Sequence, residues 1–366
     1  MLKAHKGRID TVILAIVFIL VGVGIVMSFS IGSIISQNKF YYPLNHIIKI
    51  LIGIVLMYIF SKIDYHSFER KGFLFLLISI FFLIVVLLPK LYSSSGVHRW
   101  LRFVFFNFQP SEMAKVVLII FLADVLSRKQ NIIKSFTDLY IPLIIIVGLV
   151  FFLIVLEPDF GTAVTITLVS FFIMIVGGVP KRYIIGTILV AAPLIYLLIT
   201  HSHYRYMRFL GFLHPELDPL GINYQINQSL ISIGKGGFLG VGIGQSSQKL
   251  FYLPESHTDF VFSIFAEETG FIGSLILVCL YFLIFIRSIK IARSALDLFG
   301  FLLASGIGIM IVLYALINIG VVTSILPNKG LPLPFISYGG SSMLFNLISI
   351  GILLNISRHV LDKVER

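Results

Sequence analysis

Asp259 is the residue best placed to do chemistry in this sequence. It follows His257 and Thr258 where a loop runs into an apolar stretch, so a scaffold can hold it while an aqueous substrate still reaches it. A carboxylate there can serve as a general base, and it can equally cap the helix that begins beside it. Glu255, His257 and Asp259 could alternatively ligate a divalent metal, but their spacing fits no zinc pattern and no dedicated metal ligand is assigned. Other charges come in pairs. Glu112 and Lys115 stand three residues apart after Pro110, on one helix face, either as a buried ion pair or as groups that meet a ligand. Glu157 and Asp159 flank Pro158, and Glu267 and Glu268 lie about 12 Å further along the helix that starts near Asp259. Arg99, Arg102, Arg205 and Arg208 suit an anion such as pyrophosphate, for which guanidinium forks are good partners, or else snorkel at a membrane surface. Trp100, the only tryptophan, is either an interfacial anchor or a platform for a sugar. The glycines from Gly234 to Gly244 do not match a phosphate cradle, because no strand precedes them.

The elements that must position these groups are membrane helices. Of 366 residues 58% are hydrophobic and 12% charged, against roughly 25% charged in a soluble domain. At roughly 20 apolar residues per crossing, this suffices for about ten spans and leaves no room for a separate soluble domain. Cys279 is the single cysteine, which excludes an internal disulfide. Apolar runs begin near Asp10, Leu44, Gly72, Pro110, Leu139, Gly161, Tyr183, Phe260, Leu298 and Tyr338. With the N-terminus inside, the basic groups Lys62/Arg70/Lys71, Arg128/Lys129/Lys134, Lys181/Arg182, Arg287/Lys290/Arg293 and Arg358/Lys363/Arg366 all fall on the cytoplasmic side. The net charge of +11 is therefore topological and implies no nucleic-acid partner. The expected fold is an all-α polytopic membrane protein, one domain over 1–366, with about ten transmembrane helices and both termini cytoplasmic. A large extracytoplasmic loop, 201–258, precedes the eighth helix, and its length without obvious structure suggests function. The Pro-rich segment from Leu326 to Ser337 reads as an ordered re-entrant or capping turn. Ionisable residues gather at the outer ends of helices, as in an outward-facing vestibule above a sealed inner leaflet, which argues against a pump.

Several segments resemble the SEDS family (shape, elongation, division and sporulation), which includes RodA, FtsW and their sporulation relatives. They are His98-Arg99-Trp100-Leu101, Phe108-Gln109-Pro110-Ser111-Glu112-Met113-Ala114-Lys115, Glu157-Pro158-Asp159-Phe160-Gly161, Pro254-Glu255-Ser256-His257-Thr258-Asp259-Phe260, Ala266-Glu267-Glu268-Thr269-Gly270, and the run from Leu326 to Ser342. Their order and spacing fit over nearly the whole chain. The resemblance implies a peptidoglycan glycosyltransferase of the bacterial cytoplasmic membrane that polymerises lipid II on its outer face, in elongation or division. It also implies work with a class B penicillin-binding protein, the transpeptidase. Asp259 would be catalytic, and Glu112, Lys115, Arg99, Trp100, Arg205, Arg208, His257 and Ser337 would contact substrate. The Lys329-Gly330-Leu331-Pro332-Leu333-Pro334 form is closer to the division branch, the short tails are closer to RodA, and the branch stays open.

The chemistry fits this layout. A sugar hydroxyl loses its proton as it attacks the anomeric carbon of a second sugar linked to lipid pyrophosphate. Lys115, Arg205, Arg208 or a divalent cation (Mg or Mn) would offset the leaving-group charge. Undecaprenyl chains of substrate and glycan product would stay among membrane lipids between the helices. A lipid II flippase is the alternative reading, and a scaffold that only recruits the transpeptidase is a third.

Overall fold

The structure, a computed structural model, describes residues 4–6, 9–35, 40–88, 99–102, 107–214, 221, 223–249 and 257–361. Helices dominate: α1 (Thr11–Ile35), α2 (Tyr41–Lys62), α3 (Gly72–Val86), α4 (Pro110–Arg128), α5 (Ile141–Leu156), α6 (Phe160–Val176) and α7 (Lys181–Thr200) come first. They are followed by α8 (His203–Leu213), α9 (Tyr224–Gly236), α10 (Val261–Ser294), α11 (Leu298–Val322) and α12 (Gly340–Arg358). Short helical turns at Tyr65–Phe68, Gln130–Ile132 and Phe136–Tyr140 and two short antiparallel strand pairs accompany them. Ala4–Lys6 pairs with His359–Leu361, and Leu101–Arg102 pairs with Asn107–Phe108.

Among the described residues seven helices are long and apolar enough to cross a bilayer. The chain is a multi-pass membrane protein. α3 and α6 are apolar but only 15 and 17 residues long, and α4 carries Glu112, Lys115, Asp124 and Arg128. By length and composition alone, then, seven of the expected ten or so helices qualify as crossings, and α3, α4 and α6 fall outside that criterion. The reason lies in the packing. α4 is buried on nearly every side, so Glu112, Lys115 and Asp124 meet protein, while Arg128 at its end is partly exposed. α11 and α12 are also mostly buried, whereas α7 is only 6% buried and presents apolar side chains outward all round.

The 201–258 stretch differs from the expected structureless loop, because it contains α8 and α9. α9 hides from an apolar-pattern search because serines make much of its contact. Ser229 Oγ lies 2.6 Å from Ser263 Oγ and donates to the Val322 carbonyl, and Ser232 Oγ donates to the Ser263 carbonyl at 3.0 Å. α10 is itself broken. Gly270 adopts φ 68°, ψ −165°, a conformation open to glycine and strained for other residues. The polar backbone freed by this break is paired by a glycine-rich segment. Val241 and Gly242 donate to the carbonyls of Glu267 and Glu268, while Phe271 and Ile272 donate to those of Gly237 and Phe238.

Glu267 and Glu268 hold that segment down. Glu267 accepts from Ser232 Oγ (3.0 Å), Ser246 Oγ (2.5 Å), and the Ser247 amide and hydroxyl (both 3.0 Å). Glu268 accepts from Lys249 Nζ (3.0 Å) and from Ser30 Oγ of α1 (2.5 Å). These two glutamates serve as fasteners between α1, α9 and α10. Nor are buried carboxylates confined to the Asp259 end. At the opposite, basic end Asp124 has no exposed surface and accepts from the Arg70 amide (3.0 Å) and Arg128 Nε (2.6 Å). Arg287 there pairs with Asp10 at 2.5 Å.

Removing the Glu267 carboxylate strands several donors in a buried place, each worth about 1–3 kcal/mol. Glu267→Ala is expected to lower the thermal midpoint of the detergent-solubilised protein by about 5 °C or more, followed by circular dichroism. An unchanged midpoint would contradict the fastener role.

Candidate active site

The turn from His257 to Phe260 leads into α10 and is clamped from two sides. Asn318, buried in α11, donates through Nδ2 to the Asp259 carbonyl (2.8 Å) and to the Leu331 carbonyl (2.7 Å). Ser337 donates to the Thr258 carbonyl at 2.5 Å and accepts from the Leu333 amide at 2.8 Å, and the Tyr338 amide donates to the His257 carbonyl at 2.9 Å. The Pro-rich segment is ordered, as expected, and enters the bundle: Leu331, Leu333, Phe335 and Ile336 are buried. Irregular backbone is tolerated at such a place only when its polar groups are met, and Asn318, Ser337 and Tyr281, which donates to the Pro334 carbonyl at 2.6 Å, meet them.

Asp259 stays partly exposed within this clamp. The helix N-cap is Phe260, with no side-chain capping bond, so Asp259 does not cap α10. Its carboxylate lies against Gly330, where an added Cβ would stand 2.4 Å from Oδ2. The neighbouring Lys329 packs its stem near Gly161 and holds Nζ 5.4 Å from the Phe160 ring centre. Burial pushes the Lys329 ammonium below the usual lysine range, and among the described residues it forms no ion pair.

Glu112 and Lys115 pair at 2.5 Å and are almost fully buried. Lys115 Nζ also sits 4.5 Å from the ring centre of Tyr314. Tyr314 and Asn318 are four residues apart on α11, about 6 Å along its axis. One helix face therefore carries contacts to both the Glu112–Lys115 pair and the Asp259 turn. The Tyr314 hydroxyl and Asn318 Oδ1 are buried without a hydrogen-bond partner among the described residues.

Beside α4, Gln109 Nε2 reaches Asp159 Oδ2 at 3.4 Å, and Asp159 caps α6 through the Thr162 amide and hydroxyl. Arg99 donates to the carbonyls of Glu157 (3.1 Å) and Pro158. Glu157 has no exposed surface, and neither carboxyl oxygen has a partner among the described residues. Burial and then the charge of Asp159 push its pKa up to about 9, against a smaller opposing effect of Arg99. Burial likewise raises the Asp159 carboxyl, opposed by Arg99 and the Thr162 bonds.

The remaining sequence candidates spread around this centre. Arg208 Nη1 donates to the Asn328 carbonyl at 3.4 Å and lines a cleft of about 460 Å³ with Asn223, Asn227 and Asn328. The His257 ring contacts Tyr42 and Tyr338. Trp100 is 38% exposed. The side chains of Arg205 and Arg102, and all of His98 and Glu255, lie outside the described residues. Among the described residues no three His, Cys, Asp or Glu are grouped to hold a metal ion, and no step below is routed through one. Sequence reading quoted Lys329 without giving it a role and passed over Tyr314 and Asn318. A buried asparagine inside an otherwise apolar span was the available signal, since an amide persists there only when its bonds are used.

The raised pKa of Glu157 has a testable consequence. The folded form keeps the proton up to about pH 9 while an unfolded carboxyl loses it near 4.5. The stability this group contributes is thus full below about pH 4.5 and is lost as pH rises toward about 9. Glu157→Gln, which cannot ionise, should match the parent near pH 5 and melt progressively higher than it toward pH 9. A variant less stable at every pH would contradict an uncharged Glu157.

Comparison with known proteins agrees with this architecture over its whole length. The profile of the FtsW, RodA and SpoVE family, described as cell cycle protein, matches residues 10–361. A probable peptidoglycan glycosyltransferase FtsW of Trichlorobacter lovleyi is 40% identical over 353 residues, covering 95% of this chain and 93% of that protein. Stage V sporulation protein E of Bacillus subtilis is 37% identical over 363 residues, covering 98% and 99%. Among solved structures, one that describes coordination of polymerization and crosslinking by a peptidoglycan synthase complex superposes with a TM-score of 0.79. It is 27% identical and covers 96% of this chain and 98% of that one. The rod shape determining protein RodA of Thermus thermophilus gives 0.70 at 25% identity, covering 98% of each chain. The helical membrane bundle, the clamped Asp259 turn and the buried Glu112–Lys115 pair therefore belong to a member of the FtsW, RodA and SpoVE family.

Proposed function

We propose that this chain is a peptidoglycan glycosyltransferase that polymerises lipid II at the outer face of the bacterial cytoplasmic membrane. The observation that carries the reading is one carboxylate, Asp259, held by a buried clamp beside Gly330 and Lys329, with the Glu112–Lys115 pair on the same face of α11. Asp259 takes the proton of the acceptor sugar hydroxyl as its oxygen bonds to the anomeric carbon of the donor. The bond from that carbon to the pyrophosphate oxygen breaks, and its electron pair leaves with the pyrophosphate. Because this leaving group is already a stable anion, no second carboxylic acid is required to protonate it.

The growing negative charge is met by Lys329, whose ammonium has no competing ion pair among the described residues, and by Lys115, with Arg208 on the flank. Water is scarce around Lys115 and Lys329, which strengthens their attraction for phosphate oxygens. The relatives named as peptidoglycan glycosyltransferases support the activity, and the solved peptidoglycan synthase complex supports a crosslinking partner, here a class B penicillin-binding protein. The basic loops at the opposite end support an extracytoplasmic site by the excess of Lys and Arg on cytoplasmic loops.

Purified chain with lipid II and a crosslinking-defective cognate transpeptidase should form glycan polymer, and Asp259→Ala should reduce its rate by about 10²- to 10⁴-fold at unchanged thermal midpoint. Polymer surviving the substitution would reject Asp259 as the base. Lipid II translocation without polymer would favour a flippase.

Lys329→Ala should slow polymerisation by about a hundredfold while Lys329→Arg recovers part of it, measured in the same assay. Equal loss in both variants would rule out a role for the charge itself.

A further inference from the structure

At the basic end of the bundle, cations from two separate turns gather at the foot of α7. Lys129 and Lys134 lie on the turns after α4, and Lys181 and Arg182 open α7. All four are exposed, and among the described residues none of them is paired with a carboxylate. The acid on these segments, Asp138, accepts from Ser135 Oγ at 2.6 Å. Like charges gathered on adjoining turns repel, so the arrangement is costly until an anion meets it.

The two turns are locked together. Gln130 Nε2 donates to the Gly177 carbonyl at 3.1 Å, and Ile133 lies against Gly178. The Tyr183 hydroxyl donates to the Lys134 carbonyl at 2.9 Å and accepts from Arg182 Nη2 at 3.2 Å. Its ring packs on Phe136 and Tyr140, with centres 5.0 and 5.4 Å away, and the Tyr140 hydroxyl donates to the Tyr183 carbonyl at 3.0 Å. One phenol thus holds the Arg182 guanidinium beside the turn that carries Lys134.

Beyond these cations the helix is bare. Ile184 is the buried residue of α7, while Ile185, Ile188, Leu189 and Val190 are 48–78% exposed. Lys181, Arg182, Ile185, Ile188 and Leu189 recur at spacings of three and four, so the charges and the apolar wall share one face. Phe136 adds an exposed ring at the foot of α5. A soluble anion would use the charges and ignore the wall, and an apolar partner helix would use the wall and leave the charges unmet.

We propose that the foot of α7 binds an anionic phospholipid, with its phosphate among Lys134, Lys181 and Arg182 and its acyl chains along Ile185, Ile188 and Leu189. The guanidinium fork matches two phosphate oxygens, and the lysines add point charges. The excess of Lys and Arg makes this the cytoplasmic leaflet, whose anionic lipids complement the patch. The bound lipid gives α7, which touches little protein, a fixed point beside the turn. None of this depends on the glycosyltransferase reading.

The test uses the full chain in phosphatidylcholine nanodiscs holding a trace of phosphatidylglycerol with a diazirine in its acyl chain, with labelled peptides mapped by mass spectrometry. Label is expected on the peptide containing Ile185 to Val190, at least about fivefold above that from the matching phosphatidylcholine probe. Unlabelled phosphatidylglycerol should displace it, and inorganic phosphate and farnesyl diphosphate should not. Lys181→Gln with Arg182→Gln should lower the label to the phosphatidylcholine level, whereas Lys181→Arg with Arg182→Lys keeps most of it. Lys134→Gln tests the same claim without touching α7, and about a threefold loss is expected. Lys290→Gln with Arg293→Gln, exposed at the same end on α10, should leave the label unchanged, which separates a site from the general attraction of basic loops. Equal label from the two lipid probes, equal loss in both α7 variants, no loss in Lys134→Gln, an equal loss in the α10 variant, or displacement by phosphate or farnesyl diphosphate would each overturn the proposal.

Discussion

The carboxamide of Asn318 is the interaction on which the site depends. One buried NH₂ group joins the backbone before α10 to the backbone of the Pro-rich segment. Neither of those stretches has a regular hydrogen-bond ladder of its own at this point, and a carbonyl left unmet in such surroundings costs about 1–3 kcal/mol. The clamp therefore does two things together. It makes irregular backbone affordable inside a membrane bundle, and it sets Asp259, the proposed base, against Gly330, the residue after Lys329. Tyr314, one turn away on the same helix, extends this ruler to Lys115.

Polarity elsewhere in the bundle follows the same logic. Charges inside lipid are expensive, and several of the buried carboxylates here are met by donors from elements far apart in sequence. Glu267 and Glu268 gather serines and a lysine from α1, α9 and the glycine-rich segment, which closes over the break at Gly270. Asp124 does the equivalent at the basic end with Arg70 and Arg128. Glu157 solves the problem differently, by keeping its proton. Fixed polar fasteners at both ends leave the lipid-facing helices, α7 above all, free to be apolar all round.

Much of this was readable in the residues. The i,i+3 spacing of Glu112 and Lys115 anticipated their ion pair. What was not readable depended on tertiary contact. α9 packs through Ser229 and Ser232, which carry no hydropathy signal. The break in α10 is set by one backbone conformation at Gly270 inside a continuous helix-forming pattern. Lys329 gained meaning only when the chain brought Gly330 against Asp259, some seventy positions away in sequence. α4 shows the limit of hydropathy as a signal, because its charges mark it as an interior helix of the bundle.

The claim that the clamp positions the base is tested most directly by the kinetics of Asn318→Leu, which removes the amide donor and nearly conserves volume. If the clamp sets the Asp259 geometry, kcat for glycan polymerisation should fall about tenfold or more, KM for lipid II should stay within about twofold, and the folded fraction should be retained. Unchanged kcat in a folded Asn318→Leu protein would contradict the account, because Asp259 would then be held without the bond assigned to it.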